Sequence, residues 1–367
     1  MKRIVGFLVV GLSAVAGATL AARVQTPSPA ATPALQGEGR GGGAGRGAGA
    51  GAADRVDPAN TTNERSNVQI DQFIGDATDA TGHLSHGGLL TRSMLRNGNP
   101  NVPGPAGAVL EYRTQVAKAT LLPKSSTPLM SLSSQFLFYV VSGEGRLDDG
   151  KIAWDLRNGI TMLIPPDVQR RFVNTSNDPL DMVMVEWPAN NLARKDILVR
   201  DVTLLPYCEE NAHWNNMSKC LFTQADGMTG RVLLVMLLPM TMAAPHTHTP
   251  GTEEIWTKLT PGSALTLLGS ELRETPQFSA FLAVPDGKTW HGQVNPSRTQ
   301  VEMWLYVAGG NAGGRVGGAG PGAAQAVAPN QPAAATAAAA GRGGGNPNLS
   351  RDPDVVNQAN VKGTPLR

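Results

Sequence analysis

The sequence predicts an all-β chain built as two tandem antiparallel barrels. From Val109 onward, short β-branched and apolar runs alternate with Gly, Pro, Asn and Asp turns, the pattern of many closely spaced strands. Hardly any of these runs shows the period of an amphipathic helix. The runs also fall into two rounds, one ending near Pro188 and the other near Ala308, a weak internal repeat of about 110 residues.

Taken in order, residues 1–22 carry two basic residues, an apolar run rich in Leu, Val and Ala, then small residues around Ala21 and Ala22. This is the layout of a secretory signal peptide; an uncleaved anchor is the alternative, and export is common to both. Residues 23–66 and 309–367 are dominated by Gly, Ala, Pro and Arg. Such segments have little apolar side chain to bury against the entropy of ordering, so both are expected to be disordered. Between them lie an N-terminal extension at 67–105, a first barrel at 106–198 and a second barrel at 199–308.

The formal net charge is +2, and many arginines are scattered through the glycine-rich ends. That argues against nucleic acid as a partner. No segment after the first is apolar enough to cross a bilayer, so no stable membrane span is expected once a signal is cleaved. Cys208 and Cys220 lie close in the chain. In an oxidising compartment they would pair, for about 2–3 kcal/mol; two buried thiols are the other reading.

The chemistry concentrates in the second round. His246 and His248 stand two apart, so in extended chain they share a face. A turn with Pro250 and Gly251 leads to Glu253 and Glu254 on the next strand, which closes at Gly262. Further on come Pro285, Gly287, His291 and Asn295. Three imidazoles and one carboxylate suit a divalent transition metal: Mn, Fe, Ni, Cu or Zn.

These residues resemble the two motifs of the cupin superfamily. The fit has departures: an extra residue between Gly287 and His291, Ser279 in place of the leading glycine of the second motif, and a long step from the glutamate to Gly262. In the first round Gly159, Pro165 and Asn174 keep the second motif's spacing. Asp167 replaces the turn glycine and Arg170 stands where the histidine belongs, followed by Arg171. The first motif's histidine slots fall among Leu129 to Leu132, and its glutamate slot on Phe136. The resemblance therefore implies two tandem cupin (jelly-roll) barrels, the first without metal ligands and the second holding metal through His246, His248, one glutamate and His291. Asn295 would support that site from behind or hold its turn. Relatives with similar ligands include decarboxylases, dioxygenases, lyases, isomerases and proteins with no known catalysis. An exported metal-dependent enzyme acting on a small oxygen-rich substrate is the leading reading, and a non-catalytic module binding a carbohydrate or carboxylate is its alternative. Either is compatible with a monomer or a homo-oligomer.

The register of the glutamate stays open. Four residues separate His248 from Glu253, the family's spacing, and Glu253 would share its face with Ile255, Thr257 and Leu259, an apolar set suited to a barrel interior. The distance to Gly262 and the Glu-Ile step at 254–255 favour Glu254. If Glu254 is the ligand, Trp256 and Lys258 turn inward, and Lys258 becomes the candidate for acid–base catalysis. Glu271 and Glu302 are further candidates, with solvated strand charges as the plainer reading. Trp256, Trp290 and Trp304 are expected to line a pocket or pack a core. Arg170 and Arg171 are candidates for an anion site or for ion pairs with Glu186 or Asp181. His83 and His86, three apart, are weaker metal candidates, and His213 between the rounds reads as a linker or interface residue.

Overall fold

The computed structural model describes residues 69–191, 193–208, 216–309 and 353–366. The expected signal peptide, the 23–66 segment, His213 and most of the C-terminal tail lie outside them. Three strands precede the first barrel: β1 (Ile74–Asp76), β2 (His83–Ser85) and β3 (Leu89–Asn97). The first barrel continues with β4 (Ala108–Leu110), β5 (Gln115–Leu121), β6 (Ser125–Ser126), β7 (Gln135–Ser142) and β8 (Gly145–Asp148). It is completed by β9 (Ile152–Leu156), β10 (Ile160–Ile164), β11 (Arg171–Asn174), β12 (Leu180–Trp187) and β13 (Leu198–Asp201). The second barrel has β14 (Tyr207–Cys208), β15 (Asn216–Phe222), β16 (Arg231–Leu237), β17 (Glu254–Lys258) and β18 (Ser263–Leu268). Then come β19 (Glu271–Pro276), β20 (Ser279–Ala283), β21 (His291–Val294) and β22 (Glu302–Ala308), followed by a short helix α1 (Pro353–Asn357) and β23 (Thr364–Pro365).

Each barrel is a large sheet facing a smaller one. The first pairs β13-β10-β7-β12-β5-β3-β2, with β4 beside β3, against β23-β9-β8-β11-β6. The second pairs β1-β20-β17-β22-β16-β15-β14 against β19-β18-β21. Pairing is antiparallel except between β3 and β4. The all-β expectation of two tandem jelly-roll barrels is met.

The two large sheets are buried on both faces, which explains their unbroken apolar runs. On β7, Phe136, Phe138 and Val140 fill the first barrel with Leu147, Phe172 and Met184. The alternate residues Leu137, Tyr139 and Val141 join the second barrel's Val235, Ile255, Leu282 and Val307 in one continuous core. Period-two alternation thus sends one set of side chains inward and the other to the neighbouring barrel.

The chain ends correct the expected segmentation. The 67–105 extension is not separate from the barrels: β1 pairs with β20 of the second, while β2 and β3 extend the first. The last residues are not all structureless either. β23 adds to β9, and Ala359 is fully buried while its carbonyl accepts from the Asp201 amide at 2.8 Å. These segments can order because each finds an unpaired sheet edge to complete.

Cys208 and Cys220 form a disulfide that ties the edge strand β14 to its neighbour β15, with Cα atoms 5.9 Å apart. The left-handed slot of the second motif is also real: Gly287 has φ 73° and its counterpart Asp167 has φ 59°. Asp is among the few residues that occupy this region without glycine's freedom.

Asn295 and Asn174 play matching parts. Asn295 Nδ2 donates to the carbonyls of Leu237, Leu238 and Gln300, and its Oδ1 accepts from the Ser297 amide. Asn174 Nδ2 donates to the carbonyls of Leu121 and Asp178, and its Oδ1 accepts from Ser176. Both pin a turn to a strand end, and these bonds include none to a candidate ligand. Asn295→Ala is therefore expected to cost about 1–3 kcal/mol in a denaturant titration while leaving metal content unchanged.

Candidate metal centre

The second barrel brings His246, His248, Glu254 and His291 together. One donor atom from each lies within 4.8 Å of all the others. Donors about 2.1 Å from a shared transition metal stand roughly 3–4 Å apart, so this set closes around an ion with small adjustments. His248 and His246 are half-buried, whereas Glu254 and His291 are buried. The cluster therefore sits at a barrel mouth, its open side toward the two outer histidines.

The backbone sets this geometry. His246 and His291 form an isolated antiparallel bridge, each amide donating to the other's carbonyl at 3.1 and 3.0 Å. Their rings consequently lie side by side, with centroids 4.3 Å apart, and His248 adds a third ring 4.7 Å from His246. Nδ1 of His246 is 2.9 Å from the Ala244 carbonyl. A carbonyl only accepts, so this nitrogen carries the proton and Nε2 is left as the donor for a metal.

Glu254 is the first residue of β17 and reaches both remaining histidines: Oε2 is 2.7 Å from His248 Nε2, and Oε1 is 3.0 Å from His291 Nε2. Two residues behind the cluster orient it. The Trp256 indole N–H donates to Oε1 at 2.7 Å, and the Tyr306 hydroxyl donates to Oε2 at 2.9 Å. Burial alone would raise the Glu254 pKa; the hydrogen bonds and charges of His248 and His291 outweigh it and hold the carboxyl well below the ordinary range. Burial, reinforced by the Glu254 charge, pushes the Tyr306 hydroxyl upward, so it stays a proton donor. Tyr306 was not singled out from the sequence; its signal is its register opposite Trp256 on β22, a relation between strands.

Of the two glutamates left open by the sequence, Glu253 is not at the cluster. Glu253 is 3% exposed and points to the first barrel, where its carboxylate accepts from the Glu111 and Tyr112 amides and from Arg113 Nη1 at 2.6, 2.9 and 2.6 Å. It clamps the two barrels together. Its face-mates Ile255, Thr257 and Leu259 are indeed buried, but the sheet is covered on both sides, so an apolar set does not identify the interior.

Lys258 does turn inward, as the Glu254 register requires, yet a catalytic place for it is not supported. It lies four residues beyond Glu254 on β17, about 13 Å along a strand. Its ammonium is paired with Glu302 and donates to the Thr260 carbonyl and hydroxyl. Burial lowers its pKa and the Glu302 carboxylate opposes that shift. Glu271 pairs with Arg273 near the surface. Trp256 and Trp304 are fully buried with rings 6.5 Å apart, serving as the packed floor beneath the cluster.

In the first barrel the same frame holds no ligands. Met130 and Arg170 form the bridge equivalent to that of His246 and His291, which puts Arg170 in the histidine's place. Arg171 pairs with Asp148, and Asp181 with Lys118, so the expected partners of the arginines are not those found. His83 is exposed and His86 buried; they join no metal-competent cluster among the described residues.

Comparison with known proteins agrees with this fold. Residues 119–186 match the cupin domain family, a segment within the barrel that lacks metal ligands. No curated protein matches the sequence. Among solved structures, protein Ylba from E. coli aligns with a TM-score of 0.50 at 11% identity, over 66% of this chain and 92% of that one. AerE from Microcystis aeruginosa aligns at 0.49 and 12% identity, over 65% and 99%. Oxalate decarboxylase from Bacillus subtilis aligns at 0.49 and 11%, over 66% and 77%. Residues 119–186 of the first barrel are thus a cupin domain by family match, and the same strand frame recurs in the second barrel, where three histidines and a glutamate gather at the mouth.

Proposed function

We propose that the chain is an exported, metal-dependent two-barrel cupin. Its second barrel acts on a small oxygen-rich substrate, a carboxylate, phenol or sugar-derived acid, by oxygenation or by decarboxylation and related cleavage of carbon bonds. The observation that carries this reading is the convergence of His246, His248, Glu254 and His291, in one barrel only among the described residues. A divalent transition metal held there would supply net positive charge that attracts and polarises anionic oxygen. The chain's own residues do the rest: Ala244 fixes the His246 tautomer, Trp256 and Tyr306 orient the Glu254 carboxylate, and the aromatic floor keeps water from beneath it. Export is supported by the layout of residues 1–22 and by the Cys208–Cys220 disulfide, which suits an oxidising compartment. No helix among the described residues is long and apolar enough to cross a membrane.

A second reading, capture of a carboxylate or carbohydrate without turnover, is favoured by one observation. The inward-facing lysine is withdrawn into a pair with Glu302, so it is not free to move protons for a substrate. Metal analysis of the purified full-length protein, followed by oxygen uptake and carbon dioxide release over a substrate panel, separates the two. The enzyme reading expects stoichiometric metal and turnover that His248→Ala lowers by at least about 100-fold. Melting shifts with ligands but no turnover select the binding reading, and absence of bound metal together with full activity of His248→Ala sinks both.

A further inference from the structure

The turn between β2 and β3 carries His86 into the mouth of the first barrel. His86 has φ 51° and Gly87 φ 68°, a conformation a histidine keeps only where its surroundings impose it. A Cβ on Gly87 would stand 2.6 Å from the Pro128 ring, and one on Gly88 3.3 Å from the Ser126 carbonyl. The turn is thus pressed onto the 126–130 segment. The His86 ring centroid lies 4.8 Å from that of Phe136, and the Arg170 guanidinium carbon is also 4.8 Å from that ring centre. Both polar groups face the first barrel's core and are more than nine-tenths buried, at 7% and 1% exposure.

Arg170 has no ion-pair partner among the described residues. Asp148 is taken by Arg171, Asp181 by Lys118, and Glu186 accepts from Gln115, acting on Arg170 only at a distance. Arg170 Nη1 donates to the Val168 carbonyl at 3.4 Å, while its Nε and Nη2 are buried without partners. Those two nitrogens form one edge of the guanidinium, the side-on fork whose parallel N–H bonds match a carboxylate. On His86, Nδ1 is 3.0 Å from the Ser85 hydroxyl and Nε2 is buried without a partner. Burial, and then the Arg170 charge, lower the His86 pKa to about 3. The imidazole is therefore neutral at ordinary pH, and the buried guanidinium keeps two unpartnered N–H groups beside it with no ion-pair partner among the described residues, an arrangement that burial disfavours strongly.

We propose that the first barrel is a binding site for a small carboxylate anion, held side-on by Nε and Nη2 of Arg170 and accepting from the Nε2–H of His86, in the tautomer whose Nδ1 accepts from the Ser85 hydroxyl. The histidine's place in the cupin frame has become an anion receptor, and the N-terminal turn supplies its second wall. The site is independent of the metal centre in the other barrel.

Sodium formate and sodium acetate, titrated into chelator-stripped full-length protein against sodium chloride at equal ionic strength, test this by calorimetry and thermal melting. Saturable binding and a rise in Tm with the carboxylates but not with chloride are expected. Arg170→Lys keeps the charge and loses the fork, and should weaken binding by at least about tenfold; His86→Phe should weaken it in the same direction. No carboxylate effect beyond that of chloride overturns the proposal, as does unchanged affinity in Arg170→Lys. Should that variant fail to fold, unchanged affinity in His86→Phe is decisive in its place. Because metal is absent throughout, failure of the metal-centre reading does not alter the outcome.

Discussion

Glu254→Gln is expected to yield a folded protein that no longer retains metal, whereas Glu253→Gln should retain metal and lose stability. The contrast follows from side-chain parity on one strand. Glu254 faces the second barrel's interior, with its two oxygens 2.7 and 3.0 Å from His248 and His291. Removing its charge deprives the ion of its only anionic ligand in the cluster, while Trp256 can still donate to the amide oxygen and the Tyr306 hydroxyl can accept from the amide N–H. Glu253 faces the other way, in a buried pair with Arg113 that is 0% and 3% exposed. Removing one partner of such a pair strands the other charge and costs about 3–5 kcal/mol. In a chain of this size that corresponds to a Tm lower by on the order of 10 °C. Metal content by elemental analysis and melting by calorimetry read the two effects separately. Metal retained in Glu254→Gln and lost in Glu253→Gln would overturn the assignment.

The second large effect concerns Lys258. Lys258→Met alone should destabilise by about 3–5 kcal/mol, because it leaves the Glu302 carboxylate buried and unpaired. The double variant Lys258→Met with Glu302→Leu should recover most of that loss, since replacing both members of a buried pair by apolar groups of similar size is often close to neutral. Both side chains are almost fully buried, at 0% and 2%, so solvent does little to soften the single substitution. Denaturant unfolding of the two singles and the double provides the cycle. The same proteins test function: a double variant that is stable but has lost any turnover would restore Lys258 as an acid–base residue, against the placement seen here.

Much of the candidate site was readable from residue order because it depends on local spacing. Two histidines separated by one residue share a face of extended chain, and Pro285, Gly287, His291 and Asn295 mark a turn between strands. The choice between Glu253 and Glu254 was not readable, for a physical reason. Alternation counts reliably only along continuous strand, and a turn at 249–252 separates His248 from β17. Counting across it loses the phase. The apolar partners of Glu253 gave no help either, since Ile255 and Thr257 are buried against the neighbouring barrel as fully as Trp256 is inside its own.

The sequence by itself determined the strand content, the two rounds, the neighbouring cysteines and the histidines of one barrel, all of which rest on spacing and period. Tertiary structure decided which glutamate meets those histidines, that Lys258 is tied to Glu302, that β1 and β23 complete opposite barrels, and that His86 joins Arg170 inside the first. Each of these depends on register between strands or on packing between sheets. Such relations arise from the burial of many side chains at once, and no short stretch of chain encodes them alone.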